Sequence, residues 1–303
     1  MLYDLTEPLV IGISSRALFN LEEENRIFEE QGLAAYTAYQ KEHENDVMPK
    51  GSAFQLVEAF LRLNKPGEKK IVEVIIMSRN SPDTSLRIFK SVQHYHLDVT
   101  RAALVSGAEM TPYLKAFKTD LFLSAHAPDV QKAIDNNIAA GRIITRPSPD
   151  NGSIDQIRIA FDGDAVLFAA ESERIFQKQG IEAFLEHEQS HANDPLPRGP
   201  FANFLMTISS LQRQFTTQAE SPIRTALVTS RSAPAHERAL KTLRDWNVRV
   251  DEAFFLGGVG KKDILSAFGA HIFFDDQEAH TTPASEVVPS AVVPYREGDD
   301  PHA

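Results

Sequence analysis

The chain has no cysteine, so disulfides, thiolate-bound zinc, iron–sulfur clusters and a cysteine nucleophile are all excluded. Positive charge is scarce as well: 31 Lys and Arg stand against 42 Asp and Glu, a formal net charge of −11. Broad binding to a nucleic-acid backbone needs clustered Lys and Arg, so that class of partner is excluded. A small anionic ligand is not excluded, because a bound divalent cation reverses the local sign. No run approaches the roughly 18 consecutive apolar residues that a membrane span requires. The first seven residues lack a basic stretch and carry acids early, which argues against a secretory signal and for a cytoplasmic protein. What is present is ordinary for a folded protein. The 303 residues are 42% hydrophobic and 24% charged, enough to bury a core, and their number suits about two domains.

The sequence repeats itself. Arg26-Ile27-Phe28-Glu29-Glu30-Gln31-Gly32 matches Arg174-Ile175-Phe176-Gln177-Lys178-Gln179-Gly180. His43-Glu44-Asn45-Asp46 and Pro49-Lys50-Gly51 match His191-Ala192-Asn193-Asp194 and Pro197-Arg198-Gly199 at the same offset of 148, with 14 identities in the 41 positions from Ile11 to Gly51. Farther on, Leu114-Lys115-Ala116-Phe117 matches Leu265-Ser266-Ala267-Phe268 at an offset of 151. A shared offset that includes loop-type residues points to an internal duplication rather than to two similar helices.

Each half alternates short apolar runs with stretches of helical spacing. In the second half, strands are expected near 156–161, 225–228, 253–256 and 271–274, with helices over 171–188, 201–211, 235–246 and 262–268. The first half repeats this order, with strands near 9–13, 71–77, 102–105 and 120–123. Buried strands alternating with helices predict α/β architecture with parallel sheets, here as two tandem Rossmann-like units. The expected domains are 1–150 and 151–303, joined at Pro147–Ser153, with a long helical insert near 171–211 in the second. The tail from Thr281 is expected to add an edge strand or to fray.

Ligands of open parallel sheets bind beyond the carboxyl ends of the strands. In the second half those ends carry Asp162-Gly163-Asp164, then Thr229-Ser230-Arg231, then Lys261 after Gly257-Gly258-Val259-Gly260, then Asp275-Asp276. The Gly-rich turn is not a P-loop, which would need Gly at 255 and Ser or Thr at 262, where Phe255 and Lys262 stand. No H-E-x-x-H zinc helix is present.

Asp-x-Asp, Thr, Lys and Asp-Asp in this order, each past an apolar strand, resemble the four motifs of the haloacid dehalogenase (HAD) phosphohydrolases. One of two carboxylates at a strand exit can attack phosphorus, and the other can protonate the leaving oxygen and then activate water. Longer runs narrow the resemblance. Ala160–Phe168, Pro222–Ala233 and His271–Gln277, with Ser14–Phe19, His43-Glu44-Asn45 and Tyr113–Ala116 in the first half, are similar to the cytosolic 5′-nucleotidase I family. The resemblance implies a Mg²⁺-dependent phosphatase of nucleoside 5′-monophosphates, AMP among them, with the insert acting as a cap. It makes Asp162 the nucleophile, Asp164 the acid/base and donor of a backbone carbonyl to the metal, Thr229 a phosphate ligand and Lys261 the cation beside the nucleophile. It also makes Asp275 the third protein ligand of the metal after Asp162 and Asp164, with Asp276 ligating through water or orienting it. Gly163, Ser230, Arg231, His191 and Asn193 are candidates for contacting substrate.

The first half carries none of these acids. At the duplicated offsets Ser14 and Arg16 stand for Asp162 and Asp164, Ser78 for Thr229, Met110 for Lys261, and Ser124-Ala125 for Asp275-Asp276. One active site is therefore expected, in the second half. In the first, Ser14, Ser15, Arg16, Arg79 and Asn80 are candidates for a second anion or nucleotide site, since an Arg in place of Asp inverts the local charge. A nucleotide effector and a homo-oligomer stay open at this point. So do two other functions: a HAD phosphatase or phosphotransferase acting on another small phosphomonoester, and a non-catalytic nucleotide-binding protein.

Overall fold

Most of the apolar runs form strands buried on both faces, which is why they read as continuous rather than alternating. A computed structural model describes residues 3–144, 154–215, 217 and 220–300. The expected joint at Pro147–Ser153 lies outside the described residues. The chain forms two compact units: one runs up to Asp129, the other takes Val130–Ile144 together with the chain from Asp155 onward.

The first unit contains β1 (Leu9–Ile13), α1 (Ser15–Leu18), α2 (Glu22–Glu42), α3 (Phe54–Arg62), β2 (Val72–Ser78), α4 (Leu86–His94), β3 (Arg101–Leu104), α5 (Thr111–Ala116) and β4 (Leu121–Ser124). Its strands lie in the order β3-β2-β1-β4, all parallel. Next come α6 (Ala127–Asp135) and β5 (Ala139–Ile143).

The second unit continues with β6 (Ile157–Phe161), α7 (Glu171–Ser190), α8 (Ala202–Gln212), β7 (Ile223–Thr229), α9 (His236–Asp245), β8 (Glu252–Phe255), α10 (Lys261–Phe268), β9 (Ile272–Asp275), α11 (Glu278–Ala284) and β10 (Ser290–Val292). Its strand order is β5-β10-β9-β6-β7-β8, parallel except where β10 meets β5. The tail supplies β10, which pairs on both sides and so is an interior strand, not the edge strand or frayed end expected from sequence. Its brevity and flanking Pro hid it. Strand β5 was not foreseen, and its pairing with β10 is what joins residues 130–144 to the second unit.

At the centre of the second sheet, Phe161 stacks on Phe274 at 5.6 Å between ring centroids, and Phe201 packs on Phe274 at 4.6 Å. These rings hold β6 against β9 and so fix the spacing of the residues that follow both strands. Helices α2 and α7 each bend at a glycine, Gly32 and Gly180, with the same φ of 82° and ψ of −178°. That positive φ is open to Gly at little cost, which explains why both positions carry it. Among the described residues no helix is long and apolar enough to cross a membrane.

Candidate functional site

Asp162 is the first residue past β6, and its N–H still donates to the Phe274 carbonyl of β9 at 2.8 Å. The chain then coils through a tight turn, Gly163–Leu167, in which Ala165 takes a left-handed φ of 61°. A non-glycine residue there costs on the order of 1 kcal/mol and persists only when its surroundings hold it. Gly199 supplies part of that hold. Its N–H donates to the Leu167 carbonyl at 2.8 Å, and a Cβ at this position would come within 2.5 Å of the Val166 carbonyl oxygen and closer still to that of Phe168. Gly199→Ala should therefore push the turn away and destabilise the fold by about 2 kcal/mol, read as a lower midpoint of urea unfolding. An unchanged midpoint would mean that the turn gives way freely.

Four charged side chains converge at the strand ends. Lys261, the first residue of α10, is buried, with its Nζ 2.8 Å from Asp162 Oδ1 and 2.6 Å from Asp275 Oδ2. Its neighbour Lys262 instead pairs with Glu286 at the surface. Asp162, Asp275 and Asp276 are buried and bring carboxylate oxygens within 4.8 Å of one another. His280 on α11 approaches Asp275 through Nδ1 at 3.2 Å, and the Tyr295 hydroxyl donates to Asp276 Oδ2. The other Asp276 oxygen, Oδ1, is buried without a hydrogen-bond partner.

Burial raises the Asp162 carboxyl to about 6, with Lys261 working against the shift and Asp275 adding to it. Burial also raises Asp276 well above the ordinary carboxylate range, reinforced by the charges of Asp162 and Asp275. Asp275 ends below its ordinary value: burial pushes it upward, but Lys261 and His280 outweigh that. Three carboxylates beside one lysine, which bonds Asp162 and Asp275, form an under-neutralised cluster, and hard oxygen donors in that number suit a small divalent cation.

Thr229, buried at the end of β7, lies against Gly163, where a Cβ would meet its Oγ1 at 3.2 Å. The same Oγ1 accepts the Arg231 N–H at 3.2 Å, while Ser230 is exposed. Arg231 turns inward and grips Asp164 with two bonds, Nε to Oδ2 at 2.8 Å and Nη2 to Oδ1 at 2.7 Å. The carboxylate of Asp164 is thus committed to Arg231, apart from the three clustered acids. Arg231 also donates to Glu188 on α7, which accepts from Arg238 at 2.9 Å and from Ser172 at 2.8 Å. The guanidinium lies 5.5 Å from the ring centre of Phe184.

His191 and Asn193 are engaged elsewhere. His191 Nδ1 lies 2.9 Å from the His187 carbonyl at the end of α7, and Asn193 accepts from Lys241 on α9 at 2.7 Å. In the first unit, Ser14 caps α1 and Ser15 bonds Ser78 at 3.2 Å. Arg16 is held bidentately by Glu22 at 2.9 and 2.8 Å, and Arg79 by Asp129 at 2.8 Å. Both arginines expected to attract an anion are already paired with acids.

Sequence reasoning missed Glu188, Arg238, His280 and Tyr295. Each is a polar residue on a helix or in the tail that resembles any solvated residue until the fold buries it, as with Glu188 and Arg238, or turns it onto a buried acid, as with His280 and Tyr295. The 148 offset held a faint signal for Glu188, which replaces Gln40 of the first half.

Fold and site together define a mostly parallel α/β protein with a buried acid–lysine cluster at the carboxyl ends of its strands. The chain belongs to the 5′-nucleotidase family, whose family model matches residues 1–300. It is 38% identical over 282 residues to human cytosolic 5′-nucleotidase 1B, covering 90% of this chain and 46% of that protein. The chain thus spans about half the length of this curated relative.

Proposed function

We propose that the chain is a Mg²⁺-dependent 5′-nucleotidase that hydrolyses nucleoside 5′-monophosphates such as AMP through an aspartyl-phosphate on Asp162. The observation that carries this reading is the buried group of Asp162, Lys261, Asp275 and Asp276 at the strand ends. The unpartnered Asp276 oxygen and the excess of carboxylate over cation fit a divalent metal held by Asp162, Asp275 and Asp276, with the Asp164 carbonyl as a further oxygen ligand. Bound there, Mg²⁺ would neutralise phosphate charge and lower the barrier to attack.

The chain's own residues divide the work. Lys261 keeps Asp162 ionised and oriented, so that its carboxylate can attack phosphorus. Thr229 offers a hydroxyl to a phosphate oxygen from the adjoining strand end. Arg231 holds the Asp164 carboxyl with two bonds and so fixes its orientation beside the strand exit. In the first step the Asp164 carboxyl would give its proton to the leaving ribose oxygen, and in the second the resulting carboxylate would take one back from the attacking water, each exchange requiring Asp164 to loosen its bonds to Arg231.

Helices α7 and α8 act as the cap, with Phe176 and Phe184 as its aromatic pair, 6.2 Å apart and edge to face. The two units are copies of one ancestral HAD-like unit. The shared offset, the matching order of β3-β2-β1-β4 and β8-β7-β6-β9, and the identical glycine bends support that reading. Only the second copy is catalytic.

The test is phosphate release from a panel of nucleoside monophosphates and sugar phosphates, with Mg²⁺ and after chelation. Release from the nucleotides is expected, at least about tenfold slower without metal. Preference for sugar phosphates, or no release at all, would overturn the assignment.

A further inference from the structure

A cavity of about 520 Å³ opens in the first unit at the carboxyl ends of its strands. Its floor is polar and includes Ser14, Asn80 and Asp129, and one wall is the apolar side of α2, with Phe28, Leu33 and Tyr36. Phe28 and Leu33 are 48% and 66% exposed although both are large and apolar. The Phe28 ring meets Tyr36 edge to face at 5.9 Å.

This wall matches the wall in the other unit. Phe28, Gly32 and Tyr36 precede Phe176, Gly180 and Phe184 by the same 148 residues, and both helices bend identically between their rings. In the second unit the pair borders the acid site, because Arg231 lies against Phe184 and grips Asp164.

The floors differ in charge. Where the second unit has Arg231 and Glu188, the first has Asn80 and Gln40. A buried ion pair has become two neutral amides. Asn80 Nδ2 and Gln40 Oε1 are both buried and make no hydrogen bond of normal geometry, although both amides lie beside the Tyr36 hydroxyl. Glu22 and Asp129 neutralise Arg16 and Arg79, and Glu24 pairs with Arg87 at 2.6 Å. Among the described residues, the arginines that line the cavity are each paired with an acid, and an aromatic wall and the Asn80 side chain line it beside them. The volume lies within the range of small-molecule sites.

We propose that this cavity binds an uncharged nucleoside, its base against Phe28 and Tyr36 and its polar edge on Asn80, and does not bind the phosphorylated form there. The nucleoside as ligand class rests on the nucleotidase reading, since it is the product that reaction releases. The retained aromatic wall supplies stacking, which every base can use, and the lost acids and neutralised arginines remove any means of holding a phosphate.

Calorimetry on the full chain tests this, with adenosine, inosine and uridine as probes and inorganic phosphate as competitor. Asp162→Asn protein serves as the background. At least one nucleoside is expected to bind, about tenfold more weakly in Phe28→Ala and in Asn80→Ala, while added phosphate leaves that binding unchanged. Unfolding midpoints establish that the variants are folded, and Phe28→Ala with Asp162 intact should still release phosphate from AMP. Three results would overturn the proposal: no nucleoside binds, phosphate displaces it, or Phe176→Ala abolishes binding that Phe28→Ala leaves intact. Failure of the nucleotidase reading has a separate signature, the absence of phosphate release from the unaltered chain, whatever calorimetry reads.

Discussion

Asp162→Asn is expected to lower phosphate release by a thousandfold or more while the protein stays folded. The substitution is nearly isosteric, so the turn after β6 and the packing of Phe161 on Phe274 persist. An amide cannot attack phosphorus as a carboxylate does, and loss of a covalent nucleophile leaves only the residual rate that binding and electrostatics supply. Lys261 keeps Asp275 as its partner, so the variant does not strand a buried cation. Two measurements check the assignment together. Steady-state phosphate release should collapse, and acid quenching of a single turnover should trap phosphate on the unaltered chain but not on the variant. Full turnover by the variant would move the nucleophile to another residue.

Glu188→Gln is expected to destabilise the chain by about 3 kcal/mol, the largest stability effect at a position that touches none of the three clustered acids. Glu188 is buried between Arg231 and Arg238 and also accepts from Ser172. Removing its charge leaves two buried guanidinium groups to share one amide oxygen, and Arg238, unlike Arg231 with Asp164, is left with the neutral Asp194 carbonyl beside it. Breaking one member of a buried network costs more than the pair contributes, because the surviving charge is left uncompensated in a low dielectric. The catalytic effect should be a lower kcat with little change in KM. Arg231 positions Asp164, and a looser guanidinium spreads that carboxylate over several orientations. Urea unfolding and steady-state kinetics on the same preparation read both effects. A stability change below about 1 kcal/mol would show that the two arginines find other partners or water.

Most strands were legible because burial on both faces writes itself as a run of apolar residues. Each of the eight strands expected from such runs lies within about two residues of its expected place. The two that escaped, β5 and β10, are short, and β5 contains Gly141 and Arg142. Strand β10 owes its existence to neighbours more than 100 residues away in sequence, β5 on one side, and to the nearby β9 on the other. The candidate site was legible to the extent that it lies at strand exits. Asp162, Thr229, Lys261 and Asp275-Asp276 each follow a strand or a Gly-rich turn directly, so position in sequence fixes position in space.

Without cysteine and with an excess of acid, the sequence determined by itself that any nucleophile had to be an oxygen or nitrogen group. It also determined that one half of the chain carried all the acids of the recognised motifs. The tertiary structure decided which charges those groups meet. It gave Asp164 to Arg231, set Lys261 among the acids while Lys262 pairs with Glu286, and brought in Glu188, His280 and Tyr295. It also neutralised the arginines of the first unit with Glu22 and Asp129. The physical reason is range. A strand and the turn after it are local, written in neighbouring residues, whereas the charge a buried side chain keeps depends on partners that only packing brings within a few ångströms.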